Sequence, residues 1–176
     1  MGNPERTRGG ERLRYGLCVS VETYFRAGVG LIVLNDAGQV LAAERSDRPG
    51  AWQTPQGGLQ PWEEPIEAAG RELFEETGIR WSEVIVIAES PQWLGYELPA
   101  EARSEKTGHG QVQKWFLVRY RGADDTVDVG KGAAAEFRTW TWMPAQELVE
   151  RSWEVKRPIY RYLAETWSTL LVPAQS

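Results

Sequence analysis

Glu72, Glu75 and Glu76 occupy positions i, i+3 and i+4 of the run Arg71-Glu72-Leu73-Phe74-Glu75-Glu76-Thr77-Gly78-Ile79. If residues 65–77 form a helix, that spacing sets the carboxylates on one face, with neighbouring Cβ atoms roughly 5–6 Å apart. Like charges so placed destabilise a bare helix, and hard divalent cations such as Mg²⁺ take oxygen ligands of this kind. An acidic run is usually no more than a solvated face. Here the pattern is longer than a charge run. From Gly57 through Glu63 and Arg71 to Ile79, the chain fills every position of G-x5-E-x7-R-E-U-x-E-E-x-G-U, with U apolar.

This segment resembles the signature of the Nudix hydrolase family. The resemblance implies an α/β protein, an α/β/α sandwich with a mixed β-sheet between helices, that hydrolyses nucleoside diphosphates linked to another moiety. It also implies dependence on Mg²⁺, with Mn²⁺ or another divalent cation able to substitute. Carried over by position, Glu72, Glu75 and Glu76 are the implied metal ligands. Glu72 is the choice for the group that takes the proton from the attacking water. Glu76 and Glu136 complete the implied catalytic set, Glu136 as a remote metal ligand or alternative base.

Phosphoanhydrides hydrolyse slowly because their oxygens are already negative and repel an attacking anion. Metal ions bridge those oxygens, neutralise charge and make a nearby water more acidic. A glutamate crowded by other carboxylates holds the raised pKa a base needs, while bound metal lowers it again. Arg71 is expected to form a fixed ion pair that aims a neighbouring carboxylate, with Glu63 in the same supporting part. Gly57-Gly58 either lets the backbone approach metal or phosphate or makes a plain tight turn. Gly78 suits the position just past the helix end. Leu73, Ile66 and Ala69 are expected in the core.

Five further segments resemble one branch of the family, which holds bacterial RNA 5′-pyrophosphohydrolases and dinucleoside polyphosphate hydrolases. They are Trp52-Gln53-Thr54-Pro55-Gln56-Gly57-Gly58, Tyr96-Glu97-Leu98-Pro99, Gly110 to Phe116, Glu136 to Trp142, and Lys156-Arg157-Pro158-Ile159-Tyr160. With Tyr24 to Gly30 as an opening strand, the likeness runs from about residue 24 to 166. It implies phosphate contacts from Arg26, Arg45 and Lys114, and hydrogen bonds to the ligand from Gln53 and Gln113. Trp153 or Tyr96 is the implied platform for a base, where stacking is worth roughly 1–3 kcal/mol. Trp140 and Trp142 read as core, and His109 as solvated. Val155 stands before Lys156-Arg157 where relatives commonly carry an aromatic residue.

The elements that must position these residues follow from pattern. Val29 to Leu34 is an apolar run, Asn35-Asp36-Ala37-Gly38 a turn signal, and residues 39–43 a returning strand, which together read as a hairpin. Residues 49–61 read as a Gly/Pro-rich loop entering the acidic helix. Residues 84–88, 112–120 and 137–142 read as strands, residues 99–111 as a polar loop over the site, and 144–149 as a short helix. Ile159, Tyr160, Leu163, Trp167 and Leu170 have the spacing of a core-facing stripe on a helix over 157–171.

At 176 residues the chain suits one catalytic domain over residues 24–172, preceded by a tail, residues 1–23. The single cysteine, Cys18, excludes an intrachain disulfide and reads as a small hydrophobe. No apolar run approaches the ~20 residues of a membrane span, and the start lacks a signal peptide, so cytoplasmic residence is the expectation. A net charge of −5 disfavours extended duplex DNA. It favours a nucleoside polyphosphate or the 5′-triphosphate end of an RNA as ligand. Three readings stay open: an RNA 5′-pyrophosphohydrolase, a diadenosine tetraphosphate hydrolase, and a binding module that has the fold without catalysis.

Overall fold

The computed structural model describes residues 24–130 and 136–174. The tail, with Cys18, lies outside the described residues. Among the described residues eight strands are observed: β1 (Phe25–Leu34), β2 (Val40–Arg45), β3 (Trp52–Gln53), β4 (Gln56–Gly58), β5 (Val84–Glu89), β6 (Leu94–Glu97), β7 (Gly110–Tyr120) and β8 (Phe137–Met143). Three α-helices accompany them among the described residues: α1 (Pro65–Thr77), α2 (Ala145–Arg151) and α3 (Arg157–Thr166).

The core of the mixed sheet is the parallel pair β1–β7, in register from Phe25 opposite Gly110 to Leu34 opposite Arg119. Successive side chains on these strands point to opposite faces, and both faces are covered. Val29, Leu31, Val33, Phe116 and Val118 pack toward α1 with Ala68, Ala69 and Leu73. Ile32, Leu34, Trp115 and Leu117 pack toward α2 and α3 with Leu148, Ile159, Tyr160 and Leu163. Burial on both sides explains why the apolar runs are unbroken rather than alternating. The result is the α/β/α sandwich that the sequence led us to expect.

The hairpin between β1 and β2 forms, but it splays at once. Asn35 Oδ1 accepts from the N–H groups of Ala37 and Gln39, and Gly38 takes φ 78°. The ladder then has one pair, Leu34 opposite Val40. Beyond it β2 leaves β1 to pair with β3 and β8. β4 fills the vacated edge, with Gly28 opposite Gly58 and Gly30 opposite Gln56. Residues 49–61 are therefore more than a loop: they contribute two short strands, and β4 brings Gly57 and Gly58 to the mouth of the splay. β6 is a further strand that the sequence pattern did not single out.

α1 starts at Pro65, whose fixed φ suits the first helical position, and the Glu64 N–H donates to Glu67 Oε2 at 3.1 Å. It stops at Gly78, which takes φ 73° and donates its N–H to Phe74 O at 2.9 Å. Leu73 and Ala69 are buried as expected, whereas Ile66 is 39% exposed because its face of α1 turns away from the sheet. α3 is shorter than its periodicity suggested: Ile159, Tyr160, Leu163 and Trp167 are buried, and Leu170, beyond the helix in a turn, is exposed. Trp140 and Trp142 are half-buried and pack edge-to-face at 5.7 Å.

Gly30 shows how tightly the β1–β7 pair is packed. A Cβ there would lie 2.5 Å from the Trp115 indole, which is 1% exposed and has no room to move. Gly30→Ala should cost about 1–3 kcal/mol by overpacking. Urea unfolding followed by tryptophan fluorescence reads this as a lower midpoint at unchanged slope.

Candidate active site

Arg71 is the hub from which the site is built. Its Nε and Nη2 make a two-point contact with Glu63 at 2.8 Å each, and Nη2 also donates to Gly58 O at 2.9 Å. Nη1 reaches Glu72 at 2.7 Å and Glu75 at 3.3 Å. All five N–H bonds of the guanidinium are thereby used. Glu63 is fixed from its other side by the Gln60 N–H at 2.9 Å. The Arg71 hydrogen bonds hold the Glu63 carboxyl below its ordinary pKa.

Gly57 and Gly58 admit two charged groups to the backbone of β4. A Cβ on Gly57 would fall 1.9 Å from the Glu72 carboxyl carbon, and one on Gly58 would fall 2.1 Å from Arg26 Nη2. The close approach is thus made by the protein's own carboxylate and guanidinium. Gly28 allows β1 and β4 to meet, since its Cβ would strike Gly57 O at 2.4 Å.

A cavity of about 620 Å³ opens beside this assembly. Glu72, Glu76 and Glu136 reach it from α1 and the start of β8, and Arg26, Arg48, Lys106 and Lys156 line it with positive charge. Glu76 accepts from the Gln56 N–H at 2.9 Å, yet burial, reinforced by the charge of Glu136, pushes its carboxyl well above the ordinary value. Burial also raises Glu72, against the lowering pull of Arg71. Lys156 is buried, donates to Gln53 Oε1 at 2.9 Å, and is lowered to about 7 by burial and then by Arg45. Tyr96 forms a buried wall and donates to Gln111 Oε1 at 2.8 Å. Trp153 stands at the rim with the Arg48 guanidinium 4.3 Å from its ring centre.

Several residues singled out in the sequence fall elsewhere. Glu75 has a half-exposed side chain on Arg71 and does not line the cavity. Gln53 and Gln113 are 2% and 1% exposed and lie behind the lining, while Gln56 and Gln111 present the surface. Lys114 is also outside the lining: its Nζ bonds Ser90 O at 2.6 Å and Glu89 at 2.7 Å. Arg45 does line the cavity, but its guanidinium already serves Asp47, Glu136 and Gln53. Gly78 closes α1 and touches no part of the site. His109 is half-buried with Nε2 3.4 Å from Glu97, so it is not simply solvated. Sequence reasoning missed Asp47, Arg48, Lys106 and Lys156 as lining residues.

The donor chemistry fits a hard cation. Glu76 is a partly buried carboxylate whose negative form is opposed by desolvation and by its carboxylate neighbours, and a divalent ion between them would offset that penalty. Among the described residues no three such side chains are already gathered as a ligand set. Glu72 is turned to Arg71, and Glu76 to the Gln56 amide.

Comparison with known proteins agrees with this geometry. The NUDIX domain model matches residues 24–163. The RNA pyrophosphohydrolase of Cereibacter sphaeroides is 44% identical over 147 residues, 81% of this chain and 90% of that protein. The E. coli dihydroneopterin triphosphate pyrophosphohydrolase superposes with a TM-score of 0.66 at 17% identity, covering 81% of this chain and 98% of that one. A C. elegans Ap4A hydrolase in a binary complex gives a TM-score of 0.62 at 18% identity, covering 82% and 98%. The chain belongs to the Nudix family, and Nudix hydrolases generally use divalent cations.

The raised Glu76 has a consequence for stability. Between its unfolded-state value near 4.5 and its higher folded-state value, the folded protein binds the extra proton. Stability without metal therefore falls as pH rises through that window. Glu76→Gln keeps the acceptor for Gln56 and abolishes the charge. In a chelator, its thermal midpoint at neutral pH should exceed that of the parent and should lose this part of the pH slope. An equal slope in both proteins would refute the electrostatic reading of Glu76.

Proposed function

We propose that this Nudix-family chain is an RNA 5′-pyrophosphohydrolase, which converts a 5′-triphosphate RNA end to a 5′-monophosphate and releases pyrophosphate. The observation that carries the reading is one cavity in which the carboxylates of α1 face a set of cations. Its substrate class is supported by the 44% identity to an RNA pyrophosphohydrolase. Hydrolysis of diadenosine tetraphosphate is the second reading, favoured by the shared fold of a C. elegans Ap4A hydrolase. Retention of every glutamate of the signature disfavours the binding-module reading.

In this proposal Glu72, Glu76 and Glu136 hold divalent cations, with Mg²⁺ the choice and Mn²⁺ a substitute. Bound there, the ions would neutralise phosphate charge and make the attacking water more acidic. Arg71 restrains Glu72, leaving the second oxygen of that carboxylate to take the water's proton. Water attacks phosphorus, the anhydride P–O bond breaks, and pyrophosphate leaves. Arg26, whose guanidinium makes no hydrogen bond or ion pair among the described residues, is a phosphate contact. Trp153, with Arg48 against its ring, is the platform for a nucleobase. No helix among the described residues is long and apolar enough to cross a membrane, and we place the activity in the cytoplasm.

The direct test compares a short 5′-triphosphate RNA with diadenosine tetraphosphate under Mg²⁺, with products resolved by chromatography. Faster pyrophosphate release from the RNA is expected, and faster cleavage of the dinucleotide would replace the first reading by the second. Glu76→Gln should cut turnover by orders of magnitude with its circular dichroism unchanged. Trp153→Ala should raise KM for RNA through the loss of roughly 1–3 kcal/mol of stacking while kcat holds.

A further inference from the structure

The fork of Arg45 is occupied. Nε lies 2.7 Å from Asp47 Oδ1 and Nη2 lies 2.8 Å from Asp47 Oδ2, the parallel two-point geometry that a guanidinium offers equally to a carboxylate or a phosphate. The two partners are held very differently. Arg45 projects from β2, its side chain is 24% exposed, and its Nη1 is fixed from behind by Gln53 at 3.2 Å and Glu136 at 3.1 Å. Gln53 is itself buried and anchored by Lys156. Asp47 sits on the exposed turn that joins β2 to β3, and its side chain is 64% exposed. Both residues line the cavity. A cation held from behind is thus covered by an exposed carboxylate on the turn.

We propose that Asp47 stands in for substrate phosphate: its carboxylate holds the Arg45 fork in the free protein and yields it to a phosphate group on binding. Arg45 does not depend on Asp47 for its position, because Gln53 and Glu136 hold its other edge. An entering polyphosphate brings more negative charge than one carboxylate and can take over both N–H bonds. A monophosphate end competes less well, so the return of Asp47 helps to expel it. Asp47 therefore sets selectivity for polyphosphate over monophosphate. This deepens the proposed function and rests on it for the identity of the substrate, though not for the exchange itself.

The exchange is read by calorimetric titration of inorganic pyrophosphate into the full chain with a chelator present. Asp47→Ala should bind pyrophosphate about tenfold more tightly than the parent, the scale of one charge-assisted hydrogen bond released from competition. Asp47→Asn, which keeps the shape of the turn without the charge, should move the same way. In an Arg45→Ala background the gain should vanish, because no fork remains to be freed. A gain that persists there would mark a general field effect and overturn the proposal. So would unchanged or weaker binding in Asp47→Ala, the behaviour of a carboxylate that merely orients Arg45. With 5′-triphosphate RNA, Asp47→Ala should lower KM and strengthen inhibition by the monophosphate product. If the parent does not cleave RNA, the functional reading fails while the calorimetry still judges Asp47.

Discussion

The five hydrogen bonds of Arg71 tie together three pieces of chain. They join Glu63 on the approach to α1, Gly58 on β4, and Glu72 and Glu75 on the helix itself. Without that cation, adjacent carboxylates on one helix face would repel each other at partly buried positions. With it, the entry loop and the helix are locked to the strand that fills the splay between β1 and β2. Burial then acts on what Arg71 leaves uncompensated. Glu76 has only the Gln56 amide, and burial, reinforced by the charge of Glu136, raises its pKa. The fold spends stability at the point where a cation would restore it.

Charge on the rest of the molecule becomes intelligible from this division. A net charge of −5 repels polyphosphate at long range, but the cavity gathers cations beside its carboxylates. Carboxylates come from α1, the start of β8, the turn after β2 and the loop before β7, and cations from β1, β2, the same turn, the same loop and the approach to α3. Attraction of an anionic ligand is therefore local and works over distances within the Debye length, about 8 Å at physiological ionic strength. Lys156 shows the cost of this arrangement: buried and close to Arg45, it keeps its proton poorly, with a pKa near 7.

What could be read in the sequence was whatever depends on local spacing. The helix of the signature, its Gly78 stop and the strands β1, β5, β7 and β8 follow from periodicity and turn chemistry over a few residues. An ion pair from Arg71 followed from the same short-range pattern; that Glu63 is its two-point partner did not. What could not be read depends on pairings set elsewhere in the chain. β4 is a strand because β2 leaves the edge of β1, and nothing in Gln56-Gly57-Gly58 announces that. Lys114 and Lys156 look alike as isolated basic residues, but the register of β7 sends Lys114 to Ser90 and Glu89 while the approach to α3 sends Lys156 into the cavity. Gln113 was sought as a ligand contact, and the register buries it one layer behind Gln111.

The same contrast separates the parts of the site by rigidity. Glu72 and Glu76 stand on a helix packed against a sheet, and Glu72 fills the space left by the missing Cβ of Gly57, so few other positions are open to its carboxylate. Such placement suits groups that must be held within about 0.5 Å of a working geometry. Asp47, Arg48 and Lys106 stand on exposed turns, where the energetic cost of moving a side chain is small. In the function proposed above, the carboxylates would act from a helix packed on the sheet, and the groups that would meet the rest of the ligand stand on exposed turns. Change in the turns can then alter what enters the cavity while Arg71 and its partners stay as they are.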